Sequence, residues 1–106
     1  MKPATLVVGA TGSFGAAVVR ELLGRGVRVH ALSPDCDTAA DPLAPHDRLR
    51  KFQGDAQHYG DVMRASEGCQ HIVHAMKLPL HRWFPELETA MKIIIATATK
   101  REATVL

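Results

Sequence analysis

The chain has 106 residues, 46% of them apolar and 23% charged, and a formal charge of +2 with its histidines neutral. That length buries a single core without a second, substrate-binding lobe, and the composition is that of a globular domain rather than a disordered chain. Arg20, Arg25, Arg28, Arg48, Arg50 and Lys51 are scattered over separate segments and aromatics make up only 5%, which argues against the clustered basic, aromatic-studded stripe of a nucleic-acid binder.

Met1-Lys2-Pro3 leads straight into an apolar run, Ala4 to Val8, that Gly9 ends. It reads as a buried strand, too short for a signal-peptide core or a membrane span. A cytoplasmic chain with no membrane partner is therefore expected. From Ser13 to Arg25 the period changes. Phe14, Val18 and Leu22, with Ala17 beside them, predict an amphipathic helix that Gly24 and Gly26 end. Val27 to Leu32 predicts a second strand, and Pro34 stops it. Residues 33–47 carry three prolines and four aspartates without a usable period. They read as a polar loop with at most one helical turn, long for a compact domain.

Arg48 to Gln53 predicts a short third strand ending at Gly54, His58 to Ser66 a helix, and His71 to Ala75 a fourth strand. Met76 to Phe84 reads as a loop, with Pro85 placed to open the next helix. That helix, Glu86 to about Lys100, puts Leu87, Met91, Ile94 and Ala98 on one face, while Ile93 and Ile95 lie off it. Core packing and a self-association surface both suit these isoleucines. Val105 and Leu106 start a fifth strand. Alternating strands and helices predict an α/β fold, an open parallel sheet with helices on both faces, in strand order 3-2-1-4 and truncated at the start of the fifth strand. Cys36 and Cys69 have no CxxC spacing and no second pair, so neither zinc nor a disulfide framework is expected. His71 and His74 lie three apart in a strand and so point to opposite faces, which rules them out as joint ligands of one metal ion.

The chemistry sits in Gly9-Ala10-Thr11-Gly12-Ser13-Phe14-Gly15, between the first strand and the first helix. Gly9 allows a sharp turn as the strand ends, Gly12 lets a pyrophosphate approach the backbone, and Gly15 lets the helix pack closely on the strand. The N–H groups of Ser13 and Phe14 lie at a helix start, where unpaired donors and the helix dipole favour an anion. A tight, merely glycine-rich connection is the plainer alternative, and three glycines at three-residue steps in this context speak against it.

With its GxxGxxG spacing, the segment from Val8 to Gly15 resembles the opening of short-chain dehydrogenase/reductases. It is most similar to the extended or atypical NAD-dependent epimerase/dehydratase group. The likeness continues through Arg25-Gly26-Val27-Arg28-Val29, Gly54-Asp55-Ala56 and His71-Ile72-Val73-His74-Ala75, covering nearly the whole chain. It implies a Rossmann-like NAD(P)-binding domain over residues 1–106, the N-terminal fragment of a larger oxidoreductase, epimerase or dehydratase. Its substrate would be a nucleotide-sugar or other small carbonyl compound. A non-catalytic NAD(P) sensor is the alternative within the same likeness.

The cofactor contacts it implies are Gly9, Thr11, Gly12, Ser13, Phe14, Gly15, Ser33, Asp55, Ala56 and Ala75. At the end of the second strand a carboxylate suits the ribose of NAD, and an arginine just after it suits the 2′-phosphate of NADP. Ser33 and Pro34 stand there, so the choice between NAD and NADP stays open. Asp35 is the nearest carboxylate, with Pro34 altering the chain path before it. Asp55 matches the family's adenine-contacting aspartate, and an N-cap for the following helix suits it equally. Met76 replaces a small residue beside the ribose and would crowd it. Family chemistry uses a serine or threonine after the fifth strand and a Tyr-x-x-x-Lys. Four residues after Tyr59 comes Met63, so no catalytic residue is assigned. A homodimer through the last helix and the strand edge is the expected protein partnership.

Overall fold

The computed structural model describes residues 3–75 and 88–106. The expected loop from Met76 to Phe84, Pro85, and the helix start at Glu86 and Leu87 lie outside the described residues. So does the crowding expected of Met76.

β1 (Ala4–Val8) is buried along its whole length at the centre of the sheet. β2 (Arg28–Ser33) and β4 (Cys69–His74) flank it in parallel, so that Val8 stands level with Leu32 on one side and His74 on the other. β3 (Leu49–Gln53) lies outside β2, and β5 (Thr104–Val105) outside β4. The order β3-β2-β1-β4-β5 is the one that the alternation of elements implies, with the short fifth strand in the expected place.

A parallel sheet covered on both faces has strands that are apolar on both sides, and β1 divides its residues accordingly. Leu6 and Val8 join Leu32, Phe52 and Ile72 on one face. That face is covered by Val62 and Ala65 of α2 (Tyr59–Ala65) and by Ala90, Ile94 and Ala98 of α3 (Glu88–Arg101). Val7 joins Val29 and Ala31 on the other face, under Ala16, Val19 and Leu23 of α1 (Ser13–Gly24).

The rotation of α1 differs from the expected one. Its buried residues are Gly15, Ala16, Val19 and Leu23, whereas Val18 and Leu22 are half-buried and Phe14 is 54% exposed. Two apolar stripes, 14-18-22 and 15-19-23, run side by side on this helix. Periodicity gives them equal standing, and the close approach of Gly15 to the preceding turn selects the second. On α3 the expected face holds at Ile94 and Ala98, with Ala90 and Thr97 added; Ile93 packs half-buried on the core, and Ile95 is 55% exposed.

Residues 34–40 form successive turns and 41–46 run without regular structure, in place of a helical turn. The Asp41 carboxylate accepts the N–H groups of Asp37 and Leu43, both at 2.8 Å, and pairs with Lys51 Nζ at 2.9 Å. Lys51 also donates to the Leu43 carbonyl at 2.6 Å. Burial works to raise the Asp41 carboxyl, but the Lys51 ammonium and the two N–H groups outweigh it and hold the group below the ordinary carboxylate range. This staple seats Cys36 and Leu43 in the core and gives the loop a fixed course from β2 to β3.

Candidate functional site

Parallel α/β sheets bind ligands beyond the carboxyl ends of their strands, where the strand order changes direction. Here β1 meets that condition, since the chain leaves it for β2 on one side and returns to β4 on the other. A cleft of about 290 Å³ opens at this end, lined by residues of four separate segments.

The turn after β1 forms its floor. Gly9 has φ +80°, a conformation that a side chain would strain, and the N–H groups of Gly9 and Ala10 both donate to the Leu32 carbonyl, at 3.0 and 3.4 Å. Gly12 caps α1 with φ −71° and brings no side-chain hydrogen bond to the first turn, which also lacks an acidic residue. The helix start thus faces the cleft without an anionic group of its own.

Further bonds draw in the other segments. The Thr11 and Ser33 hydroxyls hydrogen-bond each other. Gly54 N–H donates to the Ser33 carbonyl at 3.2 Å, bringing the Gly54-Asp55-Ala56 turn alongside the end of β2. Ala75 N–H donates to the Val8 carbonyl at 2.9 Å, placing the end of β4 on the opposite flank.

Gly9, Thr11, Gly12, Ser13, Phe14, Ser33, Asp55, Ala56 and Ala75 all line the cleft. Gly15 does not. It is buried behind the turn, where an added Cβ would overlap the Gly9 carbonyl oxygen and come within 2.8 Å of the Gly9 carbonyl carbon. Its part is to bring α1 against β1. Asp55 lies well before α2, whose N-cap is His58. The N-cap alternative is thereby corrected: Oδ1 of Asp55 instead accepts Gln57 N–H at 2.8 Å, closing a turn that precedes the helix.

A model of the family described as NAD(P)H-binding matches residues 9–105. The chain belongs to this family. In sequence this NAD(P)H-binding domain is 40% identical over 72 residues to sterol demethylase protein B of Methylococcus capsulatus, a match spanning 66% of the chain and 21% of that relative.

Its fold is shared with solved structures of epimerases and short-chain dehydrogenase/reductases. WbmG of Bordetella bronchiseptica, solved with NAD, superposes with a TM-score of 0.79 at 18% identity, over 97% of this chain and 36% of that one. UDP-glucose 4-epimerase of Thermus thermophilus, also with NAD, gives 0.74 at 19% identity, over 92% and 34%. A short-chain dehydrogenase/reductase of Veillonella parvula with NADP gives 0.78 at 16% identity, over 99% and 46%. The domain spans about a fifth of its sequence relative and between a third and a half of these solved chains.

The domain's cleft suits a dinucleotide. Its floor is glycine beside the helix start, and its flanks are backbone and small side chains. Two contributions were not anticipated from sequence. Gln57 also lines the cleft. Asp61 supports it from behind: its Oδ2 accepts Asp55 N–H at 3.0 Å, and its Oδ1 pairs with Arg64 at 3.2 Å. The Asp55 N–H and then Arg64 hold the Asp61 carboxyl below the ordinary range. An aspartate in the first turn of a helix, six residues beyond Asp55, is the one sequence signal that pointed to this role.

His71 is exposed and His74 half-buried, and neither lines the cleft. Burial pushes the His74 imidazole down and favours its neutral form. Tyr59 begins α2, also away from the cleft lining. Among the described residues no helix is long and apolar enough to cross a membrane.

Proposed function

We propose that this NAD(P)-binding domain is the cofactor-holding part of a larger cytoplasmic enzyme of the short-chain dehydrogenase/reductase type, an oxidoreductase, epimerase or dehydratase. The observation that carries this reading is the convergence of four chain segments on one cleft beside a helix start that has no side-chain cap. In this reading Gly12 and the N–H groups of Ser13 and Phe14 receive the pyrophosphate. Gly9, Thr11 and Ser33 border the adenosine ribose, Asp55 and Ala56 meet the adenine, and Ala75 lies beside the second ribose. Gly15 acts indirectly, by fixing the helix start. The nicotinamide supplies a hydride acceptor or donor when bound, and the reacting groups come from outside these residues.

The domain's extent supports a larger protein, since it matches between a fifth and a half of each relative's length. Its relative in sequence is named for sterol demethylation. Hydrophobic alicyclic alcohols and ketones therefore belong in the first substrate panel beside nucleotide-sugars. Calorimetric titration with oxidised and reduced dinucleotides tests the central claim. Saturable binding of one pair is expected, and no heat with any of them at millimolar concentration would overturn it.

Self-association belongs to the same proposal. Ile95 is exposed on α3, and β5 forms an edge of the sheet among the described residues. Apolar surface next to an unpaired strand edge is a natural dimer contact. Sedimentation at high micromolar concentration should show a dimer that Ile95→Lys weakens. A monomeric parent would refute it.

A further inference from the structure

The end of the second strand is where a Rossmann-like domain distinguishes the nicotinamide cofactors: a carboxylate suits the 2′-hydroxyl of NAD, an arginine the 2′-phosphate of NADP. Ser33 and Pro34 carry neither group, so the surroundings must decide.

The turn that follows has no backbone donor to offer. Pro34 has no N–H. Asp35 N–H donates to Ser33 Oγ at 3.2 Å, Cys36 N–H to the Ser33 carbonyl at 3.2 Å, Asp37 N–H to Asp41 Oδ2 at 2.8 Å, and Thr38 N–H to the Asp35 carbonyl at 3.1 Å. The Thr38 hydroxyl donates to that same carbonyl at 2.8 Å. These bonds all close within the loop, so residues 34–38 form no nest of outward N–H groups of the kind that captures anions. The Thr11 and Ser33 hydroxyls use one proton between them, leaving one neutral donor for any ligand.

Charge points the same way. Asp55 is the one charged residue lining the cleft among the described residues, and the exposed Asp35 and Asp37 add two carboxylates in the turn. Of the cations that this loop engages, Lys51 is 13% exposed and held by Asp41 and the Leu43 carbonyl, and Arg20 donates to the Pro42 carbonyl at 3.2 Å.

We propose that this domain selects NAD(H) against NADP(H) by exclusion, because residues 33–38 meet a 2′-phosphate with carboxylates and bound donors. The inference rests on the cofactor reading above. A 2′-hydroxyl is neutral, donates a proton, and meets acceptors there. A 2′-phosphate carries about −1.5 to −2 charge at neutral pH and only accepts. Arginine is absent from the place where it would be needed, and no backbone N–H of residues 34–38 substitutes for it.

Calorimetric titration of the full chain with NAD⁺ and with NADP⁺, at low and high salt, tests the proposal. The expected result is NAD⁺ at least about tenfold tighter at low salt, with the gap narrowing as salt screens the carboxylates. Asp35→Arg should close or reverse the gap. Asp35→Asn, which keeps the shape and removes one charge, should narrow it less, and thermal melts report that each variant remains folded. Equal or tighter binding of NADP⁺ by the parent would overturn the inference, as would a ratio that neither variant moves. Binding of neither dinucleotide would overturn the cofactor reading itself, and this inference with it.

Discussion

Two glycines three residues apart in the same turn should fail in different ways when substituted. At Gly15 an alanine Cβ would overlap the Gly9 carbonyl oxygen, with the Gly9 carbonyl carbon at 2.8 Å and the Ala10 Cα at 3.0 Å. All three are backbone atoms, so relief requires α1 to move off β1 or the turn to open. Overpacking of this kind costs about 1–3 kcal/mol. In a domain of this size each kcal/mol lowers the melting temperature by roughly 4–8 °C. Gly15→Ala should therefore melt at least about 4 °C below the parent.

At Gly12 the added Cβ would meet only the Gly9 carbonyl oxygen, at 3.5 Å, and φ is −71°, which any residue adopts. The loss of a glycine N-cap and the gain from a stiffer unfolded chain roughly offset each other. Gly12→Ala should therefore melt close to the parent. Gly12→Val places a branched side chain at the cleft floor and should weaken dinucleotide binding at least about tenfold, or roughly 1.4 kcal/mol. Differential scanning fluorimetry and calorimetry on the three variants separate the two effects. A Gly15→Ala protein that melts with the parent, or a Gly12→Val protein that binds as the parent does, would refute the division of labour.

Lys51→Met should cost about 2–3 kcal/mol at neutral pH, because it leaves the Asp41 carboxylate buried without its cation; urea titration measures it, and an unchanged midpoint would count against the staple. The folded pKa of Asp41 is depressed, so its contribution is fully present above the unfolded value of about 3.9 and is lost as pH falls through the lower folded one. The stability gap between the parent and Asp41→Asn should accordingly shrink on acidification below pH ~4. Burial pushes the Cys36 and Cys69 thiols up to about 11, so both should resist a disulfide reagent at mildly alkaline pH in the native state and react promptly in denaturant. Rapid native labelling of either would show that it is not enclosed.

The sequence alone determined the order of elements, the parallel sheet and the cleft's glycine floor, because each rests on local information. Apolar runs of strand length, a change of period at Ser13 and glycines at three-residue steps are all set by neighbouring residues. Tertiary structure decided what depends on contacts between distant segments. The apolar stripes of α1 were equivalent in sequence, and only the approach of Gly15 to the Gly9 carbonyl turned Val19 and Leu23 inward and left Phe14 at the cleft. Residues 33–47 have no period to read, and their course follows from a carboxylate at Asp41 meeting an ammonium ten residues later on β3. The same holds for Asp61, whose support of Asp55 requires α2 to fold back on the turn before it. Such bonds join residues that no periodicity links, so their geometry is settled only when the sheet brings the segments together.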